Sequence, residues 1–481
     1  MYFIERWNII MSENKEKSAA ELLREKLVYK TKNGFKTLNE SEIEAADAYC
    51  EGYKAYLDAA KTEREAVTAA IAMIEAKGFV PYVKGMALKA GDKIYLNNRG
   101  KALLAATIGT RPITDGVTIA AAHIDSPRID LKPVPLYENT ELAYFDTRYY
   151  GGIKKYQWVA IPLALHGTVV RKDGTAINVC IGEDDNDPVF CITDLLPHLG
   201  REQMSRNAND VIRGEALDLL IGSRPFKDDE GADAVKLNIL NILNEKYGII
   251  EADFLSAELE IVPTFKAKDI GFDRSLIGAY GHDDRVCAYP ALTARMDAEI
   301  PAYTAVAILA DKEETGSDGN TGMQGAFLEY FIDDIASAFG EKGHHVLSNS
   351  ICLSADVNAA LDPLYPEVMV ASNAAKVNYG VCITKYTGGA SKGGTNDASA
   401  EYMGKIRGIL DANDVLWQTG ELGKVEAGGG GTVAKYISML DVDTVDLGVP
   451  VLSMHAPMEI VSKIDVYMAH KAFLATMKRD A

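Results

Sequence analysis

The sequence predicts an α/β protein: a mixed central sheet flanked by helices, interrupted by a separate β-rich segment. Three observations carry this prediction. Short, nearly uninterrupted apolar runs occur at 117–123, 304–310, 350–355 and 449–454. A strand covered by helices on both faces needs such a run. Helical stretches at about 286–297, 322–339, 397–411 and 431–439 would supply the covering layers. Residues 136–271 instead alternate, as at 167–174 and 176–182, with Asp173-Gly174 as a hairpin turn between them.

The remaining elements follow from local signals. Residues 14–30 and 41–77 read as helices. In the second, Ser41 and Glu44 have the spacing of a capping box. Tyr53, Tyr56, Leu57, Ala60, Val67, Ile71 and Ile74 recur at helical spacing, and Gly78 supplies the stop. Residues 93–97 and 102–108 read as a hairpin around Asn98-Arg99-Gly100. A chain of 481 residues has room for two domains. The expected division is a discontinuous domain, 1–135 with 272–481, carrying an inserted domain at 136–271.

Composition narrows the function. A formal charge of −19, from 69 acidic against 50 basic residues, argues against nucleic acid or an anionic membrane as the main partner. No stretch reaches the roughly 18 apolar residues needed to span a bilayer. The first residues carry Glu5 and lack the basic start and long apolar region of a signal peptide. Met11 is an alternative start. The six cysteines contain no CxxC pair, so neither a thiolate zinc site nor a disulfide framework is indicated. A reducing compartment, the cytoplasm, fits this usage.

The ends of the apolar runs carry the chemistry. The first ends in His123-Ile-Asp125, the second in Asp311-Lys-Glu313-Glu314, the third in Asp356 and the fourth in His455. Open α/β sheets gather ligands where the chain leaves the carboxyl ends of the strands. A fifth element, Gly281-His282-Asp283-Asp284, places a carboxylate at a helix start, where it could bridge two cations. Two imidazoles with several carboxylates suit Zn²⁺, Co²⁺ or Mn²⁺, and two such ions would lie roughly 3.5 Å apart. In Glu313-Glu314, strand alternation would point one carboxylate at metal and the other at water. Asp125 is placed to take the second imidazole N–H of His123.

Two other motifs are weaker. Gly389-Ala-Ser391-Lys-Gly393 matches a nucleophile elbow, but it lies in a long Gly/Ser/Lys loop rather than between a strand and a helix. Gly428–Gly431 lacks a phosphate loop's Lys-Ser/Thr, and a close backbone approach to substrate suits it better. Lys392 would bring positive charge to the pocket and favour acidic side chains. His282 reads as structural, and His166, His344, His345 and His470 as surface or packing residues.

Taken in order, Ala122-His-Ile-Asp-Ser-Pro-Arg128, Gly281-His-Asp-Asp-Arg285, Asp311-Lys-Glu-Glu-Thr-Gly-Ser317, Ser354-Ala-Asp-Val-Asn358, Gly428-Gly-Gly-Gly-Thr-Val-Ala434 and Met454-His-Ala-Pro-Met-Glu459 resemble the M18 aminopeptidases, also called aspartyl aminopeptidases. The resemblance implies a co-catalytic zinc exopeptidase fold with an inserted dimerisation domain. It implies two divalent ions per subunit: His123 and Asp356 on one, Glu314 and His455 on the other, and Asp283 bridging both. Glu313 would be the general base and acid, and Asp125 would orient His123. Within Phe190–His198, His198 would reach a neighbouring subunit's active site. Where the family usually has Asp-Asn, this chain has Asp283-Asp284, which makes Asp284 a second candidate for the bridge. The family's dodecamers, built from dimers, imply a homo-oligomer. Peptides would be the substrates, losing N-terminal residues. The alternatives are a carboxypeptidase or deacylase with the same metal chemistry, or a non-catalytic assembly protein on the same fold.

Overall fold

The computed structural model describes residues 17–227 and 231–479. The two candidate starts, Met1 and Met11, lie outside the described residues. At the centre is a nine-stranded sheet in the order Val80–Pro81, Lys93–Asn98, Ala102–Thr107, Thr304–Ala310, Val117–His123, Ile351–Ser354, Asp443–Gly448, Val381–Thr384 and Trp417–Thr419. It is mixed. Thr304–Ala310 runs antiparallel to Ala102–Thr107 but parallel to Val117–His123, which is parallel to Ile351–Ser354 in turn.

Alternate residues of these strands enter two separate cores. Ala120, Ala122 and Leu309 pack with the helices Glu40–Ala59, His282–Asp297 and Lys463–Met477. Ile119, Ala121 and Ile308 pack with Phe327, Phe331 and Ile335 of the helix Phe327–Ala338 on the opposite face. Burial on both sides is why the runs are apolar throughout.

Several expectations shift. The fourth apolar run is not in the central sheet. That place belongs to Asp443–Gly448, while Pro450–Leu452 joins a five-stranded sheet with Lys268–Ile270, Leu276–Ala279, Glu459–Ser462 and Asn358–Ala359. The aspartates of 443–448 disguised that strand. Asp446 is buried all the same, because the Thr432 hydroxyl donates to it at 2.7 Å. The helix expected at 41–77 is two helices, Glu40–Ala59 and Glu63–Glu75. Each has its own capping box, Asn39 with Glu42 and Thr62 with Glu65, so Ser41 is not the cap. Of the first predicted helix, 14–30, residues 14–16 lie outside the described residues and the helix found is Ala19–Leu27; the expected 322–339 helix begins only at Phe327. The hairpin of Lys93–Asn98 with Ala102–Thr107 turns at Arg99 and Gly100, both at positive φ.

A second, wholly antiparallel sheet of six strands lies between Arg128 and Pro263. Its order is Ala176–Ile181, Leu163–Val170, Ala257–Pro263, Arg128–Asn139, Leu142–Tyr150, Leu219–Gly222. It has its own apolar core around Trp158, Ile261 and Leu219. The strand Arg128–Asn139 starts directly beyond the His123-Ile-Asp125 segment, so this sheet's first residues reach the neighbourhood of the central sheet's carboxyl edge. Among the described residues no helix is long and apolar enough to cross a membrane.

Candidate metal centre

Three adjacent parallel strands end at the same edge, and this brings the candidate residues together. Ala310 is in register with His123, and Ser354 with Ala121. Asp356 therefore emerges beside His123, and the turn after Ala310 passes over both. That turn is not extended, as alternation had suggested. Glu313–Thr315 forms a 3₁₀ turn between left-handed Lys312 (φ 65°) and Gly316 (φ 96°). The Glu313 and Glu314 N–H groups donate to the Asp125 carboxylate at 3.1 and 3.2 Å. Asp125 thus anchors the two glutamates as well as His123.

Asp283 lies at the centre. One of its carboxylate oxygens is 3.1 Å from His123 Nε2, and the other is 3.2 Å from His455 Nε2. His123 Nε2 also has Glu313 Oε2 at 3.9 Å and Asp356 Oδ1 at 4.0 Å, and His455 Nε2 has Glu314 Oε1 at 3.6 Å. Donor atoms of His123, Asp283 and Asp356 lie within 4.8 Å of one another, as do those of Asp283, Glu314 and His455. The two sets share Asp283. Gly281, at φ 75°, turns the chain into this segment; a Cβ there would lie 1.8 Å from Arg285 Nη1.

Both imidazoles are oriented from behind. His123 Nδ1 donates to the Asp125 carbonyl at 3.0 Å, with the Asp125 carboxylate at 3.3 Å. His455 Nδ1 donates to the Gly152 carbonyl at 2.8 Å. His455 has left-handed backbone (φ 64°), uncommon for a non-glycine residue. The buried Glu459 holds it there, accepting from His455 N at 2.7 Å and from Asp283 N at 3.0 Å. Tyr150, from the six-stranded sheet, donates its hydroxyl to Asp125 at 2.7 Å, and the Ser126 hydroxyl donates to the Asp283 carbonyl at 2.6 Å.

Charge in the cluster is unbalanced. Asp283, Glu313, Glu314 and Asp356 face two imidazoles. Burial pushes Glu313 up to about 7; the imidazolium of His123 opposes this, and Asp283 and Asp125 add to it. Glu314 and Asp356 are raised too, by burial and by their negative neighbours. Burial also disfavours the Asp283 anion, but hydrogen bonds from His123 and His455 hold it well below the usual carboxylate range. Burial opposes protonation of His455, yet Asp283 and Glu314 carry it up to about 10. Glu314 Oε1 is buried with no hydrogen-bond partner among the described residues. An orphaned carboxylate oxygen, surplus negative charge and N/O donors in two overlapping sets fit divalent cations.

A pocket of about 400 Å³ opens over these groups, lined by Glu313, Glu314, Asp356 and His455 together with Gly429–Gly431 and Lys435. A family profile described as aminopeptidase I zinc metalloprotease (M18) matches residues 56–476.

The chain belongs to the M18 family.

A probable M18 family aminopeptidase 1 from Clostridium acetobutylicum is 50% identical over 457 residues, covering 93% of this chain and 98% of that protein. The crystal structure of an M18 aminopeptidase from Thermotoga maritima superposes with TM-score 0.90 at 42% identity, covering 94% of this chain and all of that one. That of aminopeptidase I from Clostridium acetobutylicum gives 0.88 at 48%, with coverage of 94% and 100%. This M18 chain is a zinc metallo-aminopeptidase, a hydrolase of peptide N-termini. The carboxypeptidase, deacylase and assembly-protein alternatives are not favoured.

The other candidates in the M18 chain separate clearly. His282 is buried: Tyr53 donates to its Nδ1 at 2.7 Å, its Nε2 donates to the Ile277 carbonyl, and burial lowers it to about 3. Asp284 is buried with neither carboxylate oxygen partnered, and it belongs to none of the donor sets found among the described residues. Ser391 sits on an exposed turn that brings Gly389 opposite Gly393, well separated from the preceding strand Val381–Thr384 and the following helix Ala400–Ala412. Lys392 pairs with Asp397 at 2.9 Å and lies over the Tyr386 ring, away from the pocket wall; Lys435 is the cation that lines it. His198 is exposed and contributes nothing to the centre of its own chain. Tyr150, Ser126 and Glu459 went unassigned in the sequence. Glu459 stood within the motif 454–459, but its hydrogen bonds run to backbone amides, which no spacing rule reveals.

Proposed function

We propose that this aminopeptidase works with two divalent ions, one held by His123 and Asp356, the other by Glu314 and His455, with Asp283 shared. The observation that carries this reading is Asp283, which offers one carboxylate oxygen to each imidazole. When bound, such ions polarise the peptide carbonyl and make water acidic enough to attack near neutrality. Glu313, beside both donor sets on its 3₁₀ turn, takes the proton from the attacking water and returns it to the leaving amine. Asp125 fixes the tautomer of His123 and the position of the Glu313 turn. Acidic groups lining the pocket hold the substrate's free α-ammonium, which gives selectivity for N-termini. In the test, chelated protein is reloaded with Zn²⁺, Co²⁺ or Mn²⁺ and assayed on a panel of aminoacyl substrates. Activity should return with metal, and peptides blocked at the amino end should stay intact. Cleavage of blocked peptides would refute the reading.

Metal uptake should release protons. His455 stays protonated below about 10 in the metal-free protein, and a protonated nitrogen cannot ligate. Apparent Zn²⁺ affinity therefore rises with pH through neutrality. Isothermal titration in buffers of different ionisation enthalpy checks this; identical heats in all buffers would contradict it.

Lys435 lines the pocket and is its candidate for recognising an acidic first residue. Lys435→Ala should lower kcat/KM for aspartyl and glutamyl substrates about tenfold more than for alanyl substrates, as loss of a charge-assisted hydrogen bond implies. Equal losses would reject the assignment.

In the proposed assembly, residues 136–271 form the dimerisation domain of a cytoplasmic homo-oligomer, a dodecamer built from dimers. Exposed Leu195, Leu196 and Leu199 beside His198 support a contact there, since an apolar cluster gains by being covered. His198 would then reach the partner's pocket and steady the developing oxyanion. His198→Ala and Glu313→Gln proteins, each impaired alone, should regain activity when co-assembled. No gain on mixing would remove His198 from the site.

A further inference from the structure

A second cluster of metal-ligating side chains lies outside the pocket, where the helix Glu63–Glu75 meets the six-stranded sheet. Glu65 is in the first turn of that helix, held there by the Thr62 N–H at 3.1 Å. His166 and Cys180 are direct cross-strand partners on Leu163–Val170 and Ala176–Ile181, so their side chains share one face of the sheet. A carboxylate oxygen, an imidazole nitrogen and the thiol sulfur of these residues lie within 4.8 Å of one another. His166 is buried, with Nδ1 2.7 Å from Glu65 Oε1 and Nε2 3.1 Å from Glu183 Oε1. Glu183 is itself paired with Lys61 and Lys266, each at 2.7 Å. Glu65 and Cys180 line a separate pocket of about 460 Å³ that leads to solvent.

We infer that Glu65, His166 and Cys180 form a further cation site, of zinc type, that joins the helix to the six-stranded sheet. Carboxylate, imidazole and thiolate together are a donor set that zinc favours, and three protein donors leave one position for water from the adjoining pocket. Glu183 fixes the required tautomer. With Nε2–H donated to Glu183, the free lone pair of His166 is on Nδ1, facing Glu65. Lys61 and Lys266 keep Glu183 ionised for that purpose. Charge balances as well: one dication replaces a proton on His166 and a proton on Cys180, and both protons leave to solvent. The sequence hid this site because its three donors sit on three elements with no ligand spacing.

Cobalt distinguishes this site from the pocket. The pocket's donors are nitrogen and oxygen, so a near-ultraviolet sulfur-to-cobalt charge-transfer band reports only a thiolate site. Chelated full-length protein titrated with Co²⁺ should develop that band, and Zn²⁺ should abolish it. The band should be lost completely in Cys180→Ser and kept in Asp283→Ala. Zn²⁺ should also slow alkylation of Cys180 by iodoacetamide at least tenfold. Cys180 is exposed, so serine there is readily accommodated. Absence of the band in the wild-type protein, its survival in Cys180→Ser or its loss in Asp283→Ala would overturn the inference. In any of those cases His166 is a protonated imidazole clasped between Glu65 and Glu183.

Discussion

Glu313→Gln should leave the metal content of the pocket unchanged and reduce kcat by about 10²–10⁴-fold, the usual contribution of a positioned general base. Glutamine keeps the shape of the side chain and its place on the 3₁₀ turn, which is secured by the Glu313 backbone N–H and the Asp125 carboxylate. It removes only the proton acceptor. The neighbouring Glu314→Gln should behave differently. Glu314 Oε1 faces His455 and has no hydrogen-bond partner among the described residues, so losing its charge should weaken metal retention first and turnover as a consequence. Metal analysis beside steady-state rates separates the two. A Glu313→Gln protein with near wild-type kcat would mean that the proton moves through another group.

Asp283→Ala should have the larger effect on metal. Asp283 is shared by both donor sets, so its removal should cost two equivalents of metal per chain and lower activity to that of the chelated enzyme. A reduction limited to one equivalent would mean that each ion is held independently and that Asp283 is no bridge. The metal-free variant supplies a second readout. Asp283 supplies the hydrogen bond that most strongly raises His455, so without it the imidazole should titrate well below its present value of about 10. Proton NMR of the His455 ring follows this directly. An unmoved titration would contradict the electrostatic description of the centre.

Legibility differed from element to element. Val117–His123, Thr304–Ala310 and Ile351–Ser354 could be read because burial on both faces leaves a continuous apolar signature. Their parallel arrangement then made the residues following each run a natural group. Asp443–Gly448 could not be read, since aspartates in a buried strand look like a loop in one dimension; only the fold brings the Thr432 hydroxyl to Asp446 Oδ1. The pairing of Pro450–Leu452 with Glu459–Ser462 depends on contacts that no local pattern encodes.

The site shows the same boundary. Side chains at strand ends could be found by position. The direction of the Glu313 and Glu314 side chains could not, because two left-handed residues, Lys312 and Gly316, close the strand into a turn. Groups that act through backbone atoms, such as Glu459 on His455 N and Asp283 N, have no sequence spacing of their own. Lys392 and Lys435 are alike as residues, and only the fold puts Lys435 at the pocket wall.

The most direct measurement is anomalous diffraction at the zinc edge from crystals of the zinc-loaded protein. Two peaks should flank the Asp283 carboxylate, one reached by His123 and Asp356, the other by His455 and Glu314. Ordered side chains at these positions with no anomalous density between them would contradict the two-ion centre.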